Sequence, residues 1–195
     1  MTLHDPCRAE VAGLHVLVLP GWHNSGPGHW QSRWEAIYGD VRVQQNDWLH
    51  PLRGDWMMRL EEAIADLEER EPAPQVALVA HSLGCQLVAA WAAHSSRTHR
   101  VRAALLVAPP DVERDEVRAP LHSFNPIVRR PLPFPALAVV SPDDPYCELA
   151  RAQGMAADWG ARTLQTAPAG HLNADSGLGD WPQGRQLLAG LLAGR

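Results

Sequence analysis

A chain of 195 residues, 46% hydrophobic and 20% charged, is long enough to bury a core of its own, so one domain over residues 1–195 is expected. Its formal net charge of -5 gives nucleic acid no electrostatic reason to bind. All 17 basic residues are arginine, which excludes a Schiff-base lysine, a Ser-Lys dyad and a P-loop lysine.

Met1 to Glu10 has neither a basic nor an apolar signal region, and no apolar run is long enough to span a bilayer. A cytoplasmic protein with no membrane partner is therefore expected. Cys7, Cys85 and Cys147 share no CxxC spacing and read as reduced thiols.

Short apolar, β-rich runs recur at residues 15–19, 41–43, 76–80, 103–108, 137–140 and 162–166. Most are continuous instead of alternating, as in strands of a parallel sheet covered on both faces. Between them lie helix patterns. Trp30, Trp34 and Ile37 share one face. Met57, Leu60, Ile64 and Leu67 form a stripe that Asp55 is placed to cap and that ends near Glu71-Pro72. Residues 82–94, 147–159 and 180–192 supply three more helices, the last with Asp180 as cap and Pro182 in its first turn. Strand and helix alternating in this way predict a three-layer α/β domain: a parallel sheet of about six strands with helices on both faces.

Residues 109–135 break the rhythm, with seven prolines in 27 residues and a charged start. The phrase Leu121-His-Ser-Phe-Asn-Pro-Ile127 is apolar enough to pack onto something. Long insertions of this kind in compact domains are commonly functional covers or disordered, and the segment is read as a lid over the strand ends, with a solvated loop as the alternative.

The strongest local signal is Val76-Ala-Leu-Val-Ala-His-Ser-Leu-Gly-Cys-Gln-Leu-Val-Ala-Ala90, a buried strand running through small-x-Ser-x-Gly straight into a helix. That is a nucleophile elbow, with Ala80 in place of the usual first glycine. The tight turn demands small residues at Ala80 and Gly84. It projects Ser82 from the sheet edge and aims the Leu83 backbone N–H at the same place. A plain helix N-cap is the competing role for Ser82. Cys85, one turn inside the helix, is expected to pack as a small apolar residue.

A serine nucleophile needs a base and an orienting acid, in the order Ser, Asp, His for this fold. The 137–140 strand ends in Ser141-Pro-Asp-Asp-Pro-Tyr146, and the 162–166 strand ends in Ala167-Pro-Ala-Gly-His171. Of ten histidines only His171 follows a strand end C-terminal to the acid. His4, His50, His94 and His99 are poorly placed, His122 lies on the lid segment, and His81 is expected to point along its strand, away from the site. Asp143 and Asp144 both remain candidates for the acid, with Pro145 favouring an extended Asp144.

These residues resemble the small serine-hydrolase family of α/β hydrolases, which includes the retinoblastoma-binding serine hydrolase and YdeN-type proteins. The similarity rests on Leu17-Val-Leu-Pro-Gly-Trp22, Ala80-His-Ser-Leu-Gly-Cys85, Pro131-Leu-Pro-Phe-Pro135, Ser141-Pro-Asp-Asp-Pro-Tyr-Cys147 and Gly170-His-Leu-Asn-Ala-Asp-Ser-Gly-Leu-Gly-Asp-Trp-Pro182. The resemblance implies an α/β-hydrolase fold with Ser82 as nucleophile, His171 as base and Asp144 as acid. The implied activity is hydrolysis of small ester or amide substrates through an acyl-enzyme, without metal or other cofactor. The pocket-protein link of the mammalian relative does not transfer, because Leu83-Gly-Cys-Gln-Leu87 lacks the glutamate of the Leu-x-Cys-x-Glu pattern. A non-catalytic interaction module on the same fold is the alternative.

The loop Leu19-Pro-Gly-Trp-His-Asn-Ser-Gly-Pro-Gly-His-Trp30 then finds its role. It has Pro27-Gly28 where a P-loop needs Lys-Ser/Thr, it fails GxGxxG at the third glycine, and its histidines have no recognised ligand spacing. By the logic of the fold it supplies the second oxyanion donor, the backbone N–H of Trp22, with Leu83 as partner. His23, Asn24 and Ser25 are expected to shape the loop or line the pocket. Trp22 and Trp181 are expected to help roof the site, whereas Trp30, Trp34, Trp56 and Trp91 read as core.

Overall fold

The computed structural model describes residues 14–194; His4, Cys7 and the Met1 to Glu10 stretch lie outside the described residues. The apolar runs form β1 (Leu14–Leu19), β2 (Val41–Arg42), β3 (Gln75–His81), β4 (Val101–Val107), β5 (Ala136–Val140) and β6 (Arg162–Gln165). All pair in parallel, in the order β2-β1-β3-β4-β5-β6. The expected second strand is shorter than its sequence run, although the Val43 N–H still donates to the Val18 carbonyl at 3.0 Å.

Successive residues of a central strand serve opposite layers. In β3, Val76, Leu78 and Ala80 join one core, and Ala77 and Val79 join the other. The first core is closed by α2 (Arg53–Arg70), α3 (Leu83–Ala92) and α5 (Leu149–Asp158), through Trp56, Leu60, Ile64, Trp91 and Met155. The second is closed by α1 (Trp30–Tyr38) and α6 (Pro182–Leu192), through Trp30, Trp34, Leu188 and Leu191. Helix α3 is apolar but for Gln86, whose amide donates to the Pro110 carbonyl at 2.8 Å, and is buried from Leu83 to Trp91, as befits a helix in the middle of a layer. The four tryptophans read as core are each at most 1% exposed.

Two helix starts differ from expectation. Helix α2 begins at Arg53, so Asp55 lies in its first turn and does not cap it. The cap comes from elsewhere: the Ser123 hydroxyl accepts from the Arg53 N–H at 3.0 Å and donates to the Pro51 carbonyl at 2.9 Å. Helix α6 is preceded by Trp181 in a left-handed conformation (φ 42°, ψ 60°), with no side-chain cap. Asp180 instead binds the Arg33 guanidinium at 2.5 Å, while its carbonyl accepts from the Trp34 indole at 2.7 Å. Both misassignments have one cause: a partner distant in sequence outcompetes the local carboxylate.

Residues 109–135 contain a one-turn helix, α4 (Asp115–Arg118), and a 3-10 turn at His122–Phe124. The apolar phrase does pack inward, with Leu121, Phe124 and Ile127 buried in the first core. On the outside, Glu113 pairs with Arg129 and Arg151, and Arg151 also binds Asp111 at 3.1 Å.

The chain crosses the sheet in opposite directions from β1 and from β3, so these two neighbours are followed by loops that diverge. Such a switch point leaves a crevice at the carboxyl ends of the strands. Among the described residues, no helix is long and apolar enough to cross a membrane.

Candidate active site

Ser82 sits between β3 and α3 at φ 54°, ψ −125°, and its side chain makes no cap bond to the helix. A non-glycine residue here costs about 1–3 kcal/mol and persists only where the surroundings over-determine it. They do so on three sides. The Ser82 N–H donates to the Val107 carbonyl at 2.9 Å. A Cβ on Gly84 would lie 2.2 Å from the Leu19 carbonyl oxygen, and one on Gly21 would lie 2.6 Å from the Ser82 Cβ. Ala80 is wholly buried. The small residues thus let α3 press against the end of β1 and let the β1 loop touch the turn. Cys85 is buried, its Sγ beside the Val107 carbonyl at 3.4 Å, and burial raises its thiol pKa far above the usual range.

The Ser82 hydroxyl donates to Nε2 of His171 at 2.9 Å, and Nδ1 of His171 donates to both Asp144 oxygens at 2.9 Å. The two rear side chains are 8% and 4% exposed, so little water competes for the contact. Hydroxyl, imidazole and carboxylate in one line can carry a proton off the hydroxyl while the carboxylate holds the ring and its tautomer. The neighbouring Asp143 does something different. Its Oδ1 accepts from the Ser141 hydroxyl at 2.6 Å and from the Ala169 and Gly170 N–H groups at 2.9 Å. Those bonds, led by the one from Ser141, hold its carboxyl below the usual carboxylate range. Asp144 also accepts from the Tyr146 N–H at 2.9 Å, which folds the acid loop back upon itself. The structure therefore divides the adjacent pair: one carboxylate meets the imidazole, the other ties down the loop that carries it.

The β1 loop is braced from beneath. Gln31 is buried, and its amide donates to the Leu19 and Val79 carbonyls at 3.2 and 3.1 Å while its oxygen accepts from the Ser25 hydroxyl at 2.8 Å. Arg42 grips the same loop through Asn24 Oδ1 at 2.7 Å and the Ser25 carbonyl at 2.9 Å. His23 and Asn24 take positive φ values of 67° and 66°, turning the chain so that residues 21–24 border the crevice. Neither the Trp22 nor the Leu83 backbone N–H has a hydrogen-bond partner among the described residues. Two free donors on residues that line the same crevice as Ser82 suit an oxygen that gains negative charge.

The crevice is a cavity of about 460 Å³ with Ser82 and His171 in its wall. Segment 109–135 borders it through Pro110, Arg114, Glu116, Val117 and Leu121. Trp22 lines it as expected, but Trp181 does not. That ring is 6% exposed, packs on Trp30 with centroids 4.8 Å apart, and lies over Gly184, where a Cβ would meet it at 2.2 Å. Two histidines passed over by sequence reasoning also line the cavity. His29 caps α1 through Nδ1, which accepts from the Gln31 N–H at 3.1 Å. His81 does not point away along its strand: its Nε2 donates to the His171 carbonyl at 2.9 Å. No local pattern marks His81, because its partner arrives from a loop distant in sequence. His122 stays on the outer segment, its Nδ1 at the Ala119 carbonyl.

Sheet order, strand-to-helix elbow and the three-residue line at the strand ends together define an α/β hydrolase. The chain belongs to the serine hydrolase family, which it matches over residues 16–190. A YdeN-like hydrolase from Pectobacterium atrosepticum superimposes with a TM-score of 0.79 at 26% identity, covering 92% of this chain and 91% of that one. The ydeN gene product of Bacillus subtilis gives 0.68 at 18% identity, covering 93% and 100%. Carboxylesterase CesB of the same species gives 0.60 at 14% identity, covering 95% and 86%, a likeness of fold alone. No match was found among curated proteins.

Proposed function

We propose that this chain hydrolyses small ester or amide substrates through a Ser82-His171-Asp144 triad and an acyl-enzyme intermediate. The carrying observation is the continuous line from the Ser82 hydroxyl through both nitrogens of His171 to the Asp144 carboxylate, each step 2.9 Å. In this reading Ser82 Oγ attacks the carbonyl carbon as its proton passes to Nε2 of His171. The carbonyl oxygen, now negative, is held by the Trp22 and Leu83 N–H groups. His171 then gives its proton to the leaving oxygen or nitrogen as that bond breaks. Water enters, loses a proton to the same Nε2 and attacks the acyl carbon, and the returning proton restores the Ser82 hydroxyl.

The cavity suggests the size and character of the substrate. About 460 Å³, lined by the apolar Trp22, Val117 and Leu121 together with the polar Asn24 and Asn173, suits a small, partly apolar acyl or leaving group. Segment 109–135 acts as its cover. A fluorophosphonate probe tests the reading: it should label the wild type covalently and spare Ser82→Ala, with hydrolysis of p-nitrophenyl acetate lost in the same variant. Equal labelling of both would overturn the assignment, and a wild type inert to probe and ester alike would leave a non-catalytic module on a hydrolase fold.

A further inference from the structure

His171 stands between two residues of positive φ, Gly170 at 58° and Leu172 at 50°, on a loop outside any helix or strand. Its peptide planes take no orientation from a ladder of backbone bonds. Side chains supply it instead. Besides the Asp143 contacts, the Trp30 indole donates to the Leu172 carbonyl at 2.9 Å, and the Ser176 hydroxyl accepts from the Asn173 N–H at 3.1 Å. The carbonyl of His171 itself is taken by Nε2 of His81 at 2.9 Å.

His81 differs from the other anchors in two respects. It immediately precedes Ser82, so it joins the elbow to the base loop through a single side chain. Its ring also packs directly on the working imidazole, with centroids 4.9 Å apart. On the far side, His29 closes against it at 4.7 Å. His81 is 4% exposed. Burial above all, then the nearby His171 and His29, keeps it neutral by lowering its pKa well below the usual histidine value. A neutral ring that donates to a carbonyl carries its proton on Nε2. Such a ring suits a neighbour that alternates between imidazole and imidazolium, because it adds no charge to either state.

We propose that His81 is a positioning residue for the hydrolysis: its Nε2–H fixes the His171 peptide, and its ring backs the imidazole, so that Nε2 stays on Ser82 while Nδ1 stays on Asp144. The proposal rests on the triad reading above. What the site needs at position 81 is then a neutral donor at the place of Nε2, not an imidazole as such. His29, whose Nε2 is buried without a partner among the described residues, is the wall behind that ring and not a second link.

The test compares His81→Phe, which keeps a ring and removes the donor, with His81→Gln, whose amide nitrogen reaches about the position of Nε2. The readouts are kcat and KM on p-nitrophenyl acetate, the fluorophosphonate labelling rate and the thermal midpoint. The Phe variant is expected to lose roughly 10- to 100-fold in kcat, with KM within about threefold and labelling slowed in parallel, as small misplacements of a base do. The Gln variant is expected to recover to within about fivefold of wild type. Wild-type kcat in the Phe variant, or equal loss in both at an unchanged midpoint, overturns the proposal. Should the Phe variant fail to fold, His81→Asn replaces it: its shorter amide reaches the place of Nδ1, so it should be impaired where Gln is not, and equal activities of the two would also overturn the idea. Ser82→Ala separates this from the parent reading: if that variant stays active the triad itself is wrong, whereas unaffected His81 variants beside a dead Ser82→Ala reject only the positioning role.

Discussion

Two irregular segments border the same cavity, and they are held in opposite ways. The base loop, residues 166–177, is fixed peptide by peptide: Asp143 takes two N–H groups, and His81 and Trp30 each take a carbonyl. Segment 109–135 is held at separate points along its length, by the buried side chains of Val112, Leu121 and Phe124 and by ion pairs of Glu113 and Asp111 with arginines. Its stretch from Arg114 to Val117 is tied by the one-turn helix, an Arg114 contact to the Pro145 carbonyl at 2.7 Å and the packing of Val117 against the core. The difference separates two demands on a hydrolase. Proton transfer tolerates little misplacement, so its loop is over-determined. In the proposed reaction, recognition of a small acyl or leaving group tolerates variation, so its wall can be attached at a few points.

Substitutions on the two sides should therefore differ in what they change. The largest effect is expected for Asp144→Asn, which leaves the imidazole without a carboxylate and should lower kcat by about 10³- to 10⁴-fold. Asp143→Asn keeps an acceptor oxygen for the Ala169 and Gly170 N–H groups, and steady-state kinetics should show less than about a tenfold loss. Equal losses would merge the roles that the structure keeps apart. Next comes Gly21→Ala, whose methyl would lie 2.6 Å from the Ser82 Cβ. Displacing the Trp22 N–H in this way should cost about 10²- to 10³-fold in kcat, and retention of wild-type turnover would remove Trp22 from the oxyanion role.

On the cover, Val117→Ala should leave kcat for p-nitrophenyl acetate near wild type while KM for longer acyl chains changes by less than about tenfold, the scale of a few methylene contacts. A selective fall in kcat for the shortest ester would show that segment 109–135 positions the reacting groups.

The smallest effect is one of stability. Burial first, then the charges of Arg42 and His171, lowers the His29 pKa to about 4 from 6.5. Between those values the unfolded chain binds a proton that the folded chain refuses, so stability rises with pH there and is lost as pH falls from 6.5 toward 4. The loss from this one group is at most about 3 kcal/mol. Urea midpoints across that range should fall less steeply for His29→Asn, whose amide oxygen can still cap α1. An unchanged slope would mean that the ring is not buried as described.

How much of this was legible in the sequence follows the range of the interactions. The strands were readable because uniformly apolar runs have one use in a parallel sheet, and Ser82 because its turn imposes small residues on both sides within five positions. Chain order at strand ends pointed to His171 and to the Asp143-Asp144 pair, and left the choice within that pair open. The same reasoning misread Asp55, Asp180 and Trp181, and it sent His81 away from the site. In each case the deciding partner lies far off in sequence: Ser123 for the start of α2, Arg33 and Trp34 for Asp180, Trp30 for the Trp181 ring, and the His171 carbonyl for His81. A pattern local to one element cannot encode a bond whose other half arrives from another.

The Ser123 hydroxyl carries one more consequence. It caps α2 while belonging to the segment that borders the cavity. Lifting that segment as a whole would strip an 18-residue helix of its first-turn acceptor and strand the Pro51 carbonyl, a loss of about 1 kcal/mol or more. A movement of the segment that keeps this cap in place would have to be made by residues ahead of Ser123.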